Sequence, residues 1–191
     1  AIAGRRMEML KETANKFGNG NEILCKDADV TDRESLEDLF QWFDQSMGKL
    51  DFLIHAAGIN VAMRSMQELD PKDWDRLIDI NLTGSYNVLR LTLERMRAQQ
   101  KGLVVLINSV AGRRSVPLAG IGYNASKFGM SGLGVGVAEE EKENGITNFR
   151  KVVNISSTSG MFGNAGQINY ATAKAGVVGM AKTMAKEWGR Y

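Results

Sequence analysis

Leu50-Asp51-Phe52-Leu53-Ile54-His55-Ala56-Ala57-Gly58 is the stretch that decides the fold. The continuous apolar character of residues 50–55 suits a strand covered on both faces, as in a parallel sheet, and Gly58 opens a loop behind it. Before it, Met7, Leu10, Ala14 and Phe17 recur at helical spacing and stop at Gly18-Asn19-Gly20. Residues 22–28 read as a strand. Thr31 and Glu34 then form a capping-box pattern opening a helix with Leu36, Leu39, Phe40, Phe43 and Met47 along one face, ended by Gly48. After the deciding stretch, Asp70 before Pro71 reads as a cap with proline at the first helical position. The helical pattern runs on from Trp74 to Met96 with a break near Gly84, and Gly102 closes it. Residues 103–108 read as a strand, 122–144 as a helix, 152–155 as another strand and 167–188 as a final helix. This alternation predicts an α/β layer fold with right-handed crossovers.

The 191 residues, 43% hydrophobic and 24% charged, suit one compact globular domain with room for an appendage, and argue against disorder or a coiled coil. The net charge of +2 comes without a long basic run, so no nucleic-acid partner is expected. The longest apolar run, 103–107, is far short of the roughly 20 residues that span a bilayer, and the N-terminus shows no export signal, so a cytoplasmic protein without a membrane partner is expected. One cysteine, Cys25, and one histidine, His55, leave no disulfide and no metal-binding cluster to expect.

In such a sheet, ligands sit beyond the carboxyl ends of the strands. Those positions are 4–6, Asp29, 55–58, 109–112 and 157–160. The sharpest local feature is Tyr123-Asn124-Ala125-Ser126-Lys127 on a predicted helix. A tyrosine and a lysine one turn apart share a face, so the ammonium can approach the phenol and favour its ionised form. Ser109, behind a buried strand, could donate to a carbonyl placed against the tyrosine. The three together suit carbonyl–alcohol interconversion. An isolated Tyr–Lys pair of this spacing can equally lie along a helix surface with no role in chemistry.

Asp29-Val30 after one strand, Ala57-Gly58 after the next, Asn81 in a long helix, Ser109 after a further strand and Tyr123-x-x-x-Lys127 occur in the order and approximate spacing of the short-chain dehydrogenase/reductase family, which the chain resembles over nearly its whole length. The resemblance implies a Rossmann-like doubly wound parallel sheet with flanking helices. It implies Tyr123 as acid/base, Ser109 as the group orienting the substrate carbonyl, and Lys127 as the residue that lowers the tyrosine pKa and holds the nicotinamide ribose. Asn81 corresponds to the proton-relay asparagine, Asp29 and Val30 to the residues beside the adenine, and Ala57 and Gly58 to the cofactor-facing loop. At the position of the family's NAD-selecting carboxylate the chain instead continues Gly4-Arg5-Arg6. Two guanidinium groups there suit a 2′-phosphate, which favours NADP(H), unless Arg5 and Arg6 are simply solvated charges at a helix start.

Three departures stand out. The glycine-rich turn after the family's first strand has no counterpart, so the fold is expected to be incomplete at its N-terminus, beginning at the second strand. Gly132, Gly134 and Gly136 lie within a predicted helix and read as helix-packing glycines rather than a phosphate cradle. His55-Ala56-Ala57-Gly58 stands where Asn-Asn-Ala-Gly is usual, and His55 reads as structural rather than catalytic. The largest departure is a repeat: Ser157, Tyr170 and Lys174 reproduce the serine and Tyr-x-x-x-Lys signature, adding a second candidate catalytic and cofactor-binding set. Residues 1–150 are thus read as a core lacking its first strand, and 151–191 as a second copy of the catalytic β-α unit. That copy is either part of the same sheet or a joined fragment, the mark of a chimera, a joining of related pieces or a natural duplication.

The second unit resembles the 3-oxoacyl-[acyl-carrier-protein] reductase branch. An NADP(H)-dependent reductase of a small or acyl-carrier-protein-linked keto substrate, in fatty acid biosynthesis, is therefore expected. A sugar, steroid or other alcohol dehydrogenase of the same family is the alternative, and a non-catalytic binding or oligomerisation module the third reading. The resemblance also implies a homo-oligomer, a dimer or tetramer.

Overall fold

The computed structural model describes residues 1–17, 20, 22–144 and 172. The chain divides into two units, Ala1–Phe149 and Arg150–Tyr191, and the architecture below is that of the first. The expected strand at 152–155, the helix at 167–188, and Ser157, Tyr170 and Lys174 lie outside the described residues.

Strand β1 (Ile2–Gly4) leads into helix α1 (Met7–Phe17), then β2 (Cys25–Asp27), α2 (Arg33–Met47) and β3 (Phe52–His55). Helix α3 (Pro71–Ile78) passes through a π-helical turn, Asp79–Thr83, into α4 (Gly84–Gln99). Strand β4 (Leu103–Leu106), two short 3-10 turns (Val110–Gly112 and Pro117–Ala119) and α5 (Ile121–Glu143) complete it. The strands pair in parallel, Ile2 opposite Cys25 in β1–β2 and Phe52 opposite Leu103 in β3–β4. This is the Rossmann-like α/β fold that the strand–helix alternation predicts.

Local chemistry explains the element ends. Asp70 accepts from the Lys72 amide at 2.8 Å with Pro71 behind it, as expected. The start of α2 differs from expectation. Its cap is Asp32, whose carboxylate accepts from the Glu34 and Ser35 amides at 3.0 and 3.3 Å, while the Thr31 hydroxyl donates to Asp29. A full negative charge at a helix N-terminus competes better for those amides than a hydroxyl one residue further out. Asp32→Ala is expected to lower stability by about 1 kcal/mol, read as a shift in the urea midpoint. The break foreseen near Gly84 is the π-helical turn itself. Helix α4 ends on Gln100 in the left-handed conformation (φ 52°) rather than at Gly102.

Helices α2 and α4 enclose the main core, with Leu36, Phe40, Leu50, Val88, Leu91 and Met96 buried and Leu53 and Val104 of the sheet packed against them. Outside it, Arg95 grips Asp44 with Nη2–Oδ2 at 2.6 Å and stacks 4.8 Å above the Phe40 ring, while Arg97 ties α4 to Glu140 and Glu141 of α5. The expectation that residues 50–55 are covered on both faces holds on one. Phe52 and Ile54 are 69% and 68% exposed and line a groove of about 820 Å³ shared with β1. Of the three glycines read as packing residues, Gly134 approaches Leu106, whereas a Cβ on Gly132 or Gly136 would meet nothing among the described residues.

Candidate active site

The site forms where β3 and β4 end and α5 begins. A cleft of about 400 Å³ is lined there by the loop 56–60, by Ile107 and Asn108 beyond β4, and by Tyr123 and Lys127 of α5. Tyr123 and Lys127 share a helix face, and the Lys127 Nζ lies 5.7 Å from the tyrosine ring centroid. Lys127 is 4% exposed and, among the described residues, donates long contacts to Ile107 O at 3.4 Å and Met130 Sδ at 3.5 Å. Burial pushes its pKa down. An ammonium has three protons to give, so this one retains capacity toward the cleft.

Asn81, fully buried in the π-helical turn, is the hub of the site. Its Oδ1 accepts from the Ile59 amide at 2.8 Å, and its Nδ2 donates to Ile59 O and to Ser126 Oγ, both at 3.0 Å. Ser126 in turn donates to Tyr123 O at 2.9 Å, so one side chain fastens the loop to α5 beside the tyrosine. Gly58 is part of that fit. A Cβ there would sit 3.3 Å from Asn81 Oδ1 and 3.5 Å from Lys127 Nζ, filling the space between them.

Ser109 caps the 110–112 turn, its hydroxyl accepting from the Ala111 amide at 3.2 Å. Its neighbour Asn108 lines the cleft, and this the sequence reading missed. Asn108 donates to Ser131 Oγ at 2.8 Å and Lys127 O at 3.3 Å, and Ser131 donates to Gly112 O at 2.7 Å. The turn carrying Ser109 is thereby locked to the lysine's helix. A signal was present: Ser126 and Ser131 fall at helical spacing on the Tyr123–Lys127 face, where small hydroxyls are more useful inside than out.

The candidate cofactor residues Arg5, Arg6, Asp29, Val30, Ala57 and Gly58 all line the 820 Å³ groove. Burial alone would raise the Asp29 carboxyl, but hydrogen bonds from the Thr31 amide and hydroxyl, with the Arg5 charge nearby, outweigh it and hold the pKa low. Val30 is set by α4. A Cβ on Gly84 would lie 2.6 Å from Val30 Cγ2, and Asn87 Nδ2 donates to Val30 O at 3.1 Å. The groove and the cleft adjoin, since Ala56, Gly58 and Ile59 line both.

His55, the last residue of β3, is 4% exposed, and burial with the Lys127 charge pushes its pKa down from 6.5 to about 4. The unfolded chain therefore takes up a proton first as pH falls. Stability from this group is complete above pH 6.5 and is lost as pH falls toward about 4, by up to about 3 kcal/mol. The difference in urea stability between wild type and His55→Gln should shrink across that window; a difference independent of pH would refute the assignment.

The short chain dehydrogenase family matches residues 1–149 and, separately, 150–191, and the chain belongs to that family. It is 30% identical over 160 residues to the 3-oxoacyl-[acyl-carrier-protein] reductase FabG of Thermotoga maritima, covering 83% of this chain and 44% of that one. It is 35% identical over 130 residues to the 3beta-hydroxysteroid dehydrogenase of Mediterraneibacter gnavus, covering 68% and 45%. A metagenomic short-chain oxidoreductase crystallised in complex with NADP superposes with a TM-score of 0.68 at 28% identity, over 74% of this chain and 64% of that one. The chain thus spans less than half the length of either curated relative.

Proposed function

We propose that the chain carries the catalytic core of an oxidoreductase that reduces a carbonyl to an alcohol with NADPH, its substrate a 3-oxoacyl thioester on an acyl carrier protein or a small-molecule analogue. The observation that carries this reading is the cleft itself, where Tyr123 and Lys127 share a helix face beside the loop that Asn81 holds. In this reading arginines 5 and 6 meet the adenine end of the cofactor, and the Tyr123–Lys127 pair faces its nicotinamide end and the substrate. At the cleft the residues present fit the nicotinamide end of the cofactor, though the family's glycine-rich turn has no counterpart among the described residues: Gly58 leaves room where a Cβ would intrude, and the buried Lys127 ammonium has protons unspent. Arg5 and Arg6 offer forked donors to a 2′-phosphate, and Lys127 a donor to the ribose hydroxyls.

When bound, NADPH supplies the hydride that reduces the carbonyl carbon. Tyr123 gives its hydroxyl proton to the carbonyl oxygen, so that carbon–hydrogen and oxygen–hydrogen bonds replace the carbon–oxygen π bond. The Lys127 charge near the ring balances the phenolate left behind. Ser109, whose hydroxyl accepts from the Ala111 amide and so keeps its own proton to give, donates to the same oxygen, and Asn81 keeps the loop and the tyrosine's helix in register. Residues 1–150 act as the core in this scheme and 151–191 as the second β-α copy, with Ser157, Tyr170 and Lys174 as its alternative set. A homo-oligomer of this cytoplasmic enzyme is part of the same proposal. The steroid dehydrogenase relative supports a second reading, oxidation or reduction of a steroid or other secondary alcohol by the same residues.

The test is consumption of NADPH and of NADH with an acetoacetyl thioester, a 3-ketosteroid and a ketose. Faster NADPH consumption with the thioester is expected. Preference for the ketosteroid would move the substrate to the second reading, and no saturable consumption of either nucleotide would leave only a binding or oligomerisation module.

A further inference from the structure

His55 is the one histidine of the chain, buried, and no step above uses it. Its Nε2 lies 3.0 Å from Ser85 Oγ, and Ser85 Oγ lies 2.7 Å from the backbone oxygen of Asn81. The direction of these bonds follows from what each group can do. A carbonyl oxygen only accepts, so Ser85 spends its single proton on Asn81 O, and its lone pair must receive a proton from His55 Nε2. The imidazole is therefore held as the Nε2–H form, and its low pKa keeps it neutral.

This chain of bonds ends on the residue that already grips the other side of the site loop. Asn81 holds Ile59 through its side chain, by the amide at 2.8 Å and the oxygen at 3.0 Å. It is held to His55 through its backbone oxygen and Ser85. The loop 56–58, whose Ala56 and Gly58 line the cleft, is thus strung between two anchors, His55 before it and Ile59 after it, fixed to the same π-helical turn. A third tie, from the Ile107 amide to His55 O at 2.9 Å, sets the anchor residue against the strand end that leads to Asn108.

We propose that His55 is a positioning residue: through Ser85 it fixes the 56–58 loop against Asn81 and so sets the floor on which the nicotinamide end of the cofactor rests. The part that concerns the cofactor rests on the function proposed above; the part that concerns the loop does not. The contact is specific to one nitrogen. A glutamine places its amide nitrogen where Nε2 stands, whereas an asparagine reaches only to the position of Nδ1.

The experiment uses His55→Gln, His55→Asn, Ser85→Ala and the His55→Asn/Ser85→Ala double variant, all in the full chain. Amide hydrogen exchange at residues 57–59 is measured without cofactor, and Kd for NADPH with KM and kcat are measured beside it. In His55→Asn and Ser85→Ala the loop amides should exchange about tenfold faster, with Kd and KM for NADPH raised about tenfold and kcat changed less. The double variant should be no worse than either single one, because both break one chain of bonds. His55→Gln should stay within about twofold of wild type. Unchanged loop exchange in His55→Asn and Ser85→Ala, additive effects in the double variant, or a glutamine no better than the asparagine would each overturn the proposal. Faster loop exchange in a protein whose wild type binds no NADPH would uphold the positioning role and reject the cofactor.

Discussion

Replacing Tyr123 by phenylalanine should lower kcat by about 100- to 10,000-fold, the range a positioned general acid contributes, with thermal stability and NADPH affinity near wild type. The reasoning is geometric. Phenylalanine keeps the ring beneath the Lys127 ammonium, 5.7 Å from its centroid, and keeps the backbone oxygen that Ser126 reaches at 2.9 Å. Only the transferable proton is lost. Steady-state turnover with the preferred carbonyl substrate measures it, with Tyr170→Phe as the companion. If Tyr123→Phe turns over normally and Tyr170→Phe does not, the chemistry belongs to the second Tyr–Lys pair.

The largest effect on stability should come from Asn81→Ala. The side chain is fully buried and makes three hydrogen bonds, two to the main chain of Ile59 and one to Ser126. Truncation takes away the partner of the half-buried Ile59 amide and oxygen and a bond of the fully buried Ser126 hydroxyl. A buried donor or acceptor left unpaired costs about 1–3 kcal/mol, so a loss of about 2–4 kcal/mol is expected from urea unfolding. Activity should fall further than stability alone explains, because the same bonds hold the loop to the helix of Tyr123. A change within 0.5 kcal/mol, the ordinary scatter of surface substitutions, would mean that the loop is held otherwise.

Much of this was legible in the sequence because it depends on period and on order. The helical spacing of Leu36, Leu39, Phe40 and Phe43 gave α2 its buried face, and Asp70-Pro71 gave α3 its start, since both rest on local chemistry. The Tyr123–Lys127 pairing needs only a helix, which is why it could be foreseen. The hub at Asn81 could be placed by family order, but its partners could not. Ile59 and Ser126 reach it only because a π-helical turn rotates the side chain inward, and one extra residue in a helix leaves no mark in a hydrophobic pattern. Asn108 escaped notice because an amide at a strand end has the same look whether it caps a turn or locks a helix. The exposure of Phe52 and Ile54 was misjudged for a related reason: an apolar run announces that its faces seek cover, not which neighbour supplies it. His55 reads as structural in the sequence, but its link to Ser85 joins residues 30 positions apart, and nothing local encodes it.

The reading stands or falls on one point: that Tyr123 protonates a carbonyl whose carbon receives a hydride from a nicotinamide cofactor. The most direct test incubates the purified chain with NADPH deuterated at its transferable hydrogen and a 3-oxoacyl thioester, and weighs the alcohol product by mass spectrometry. Deuterium on the carbinol carbon of the wild-type product, with labelled product formed at least about 100-fold more slowly by Tyr123→Phe, is the result expected. Product without deuterium, or labelled product formed equally well by Tyr123→Phe, would contradict the account.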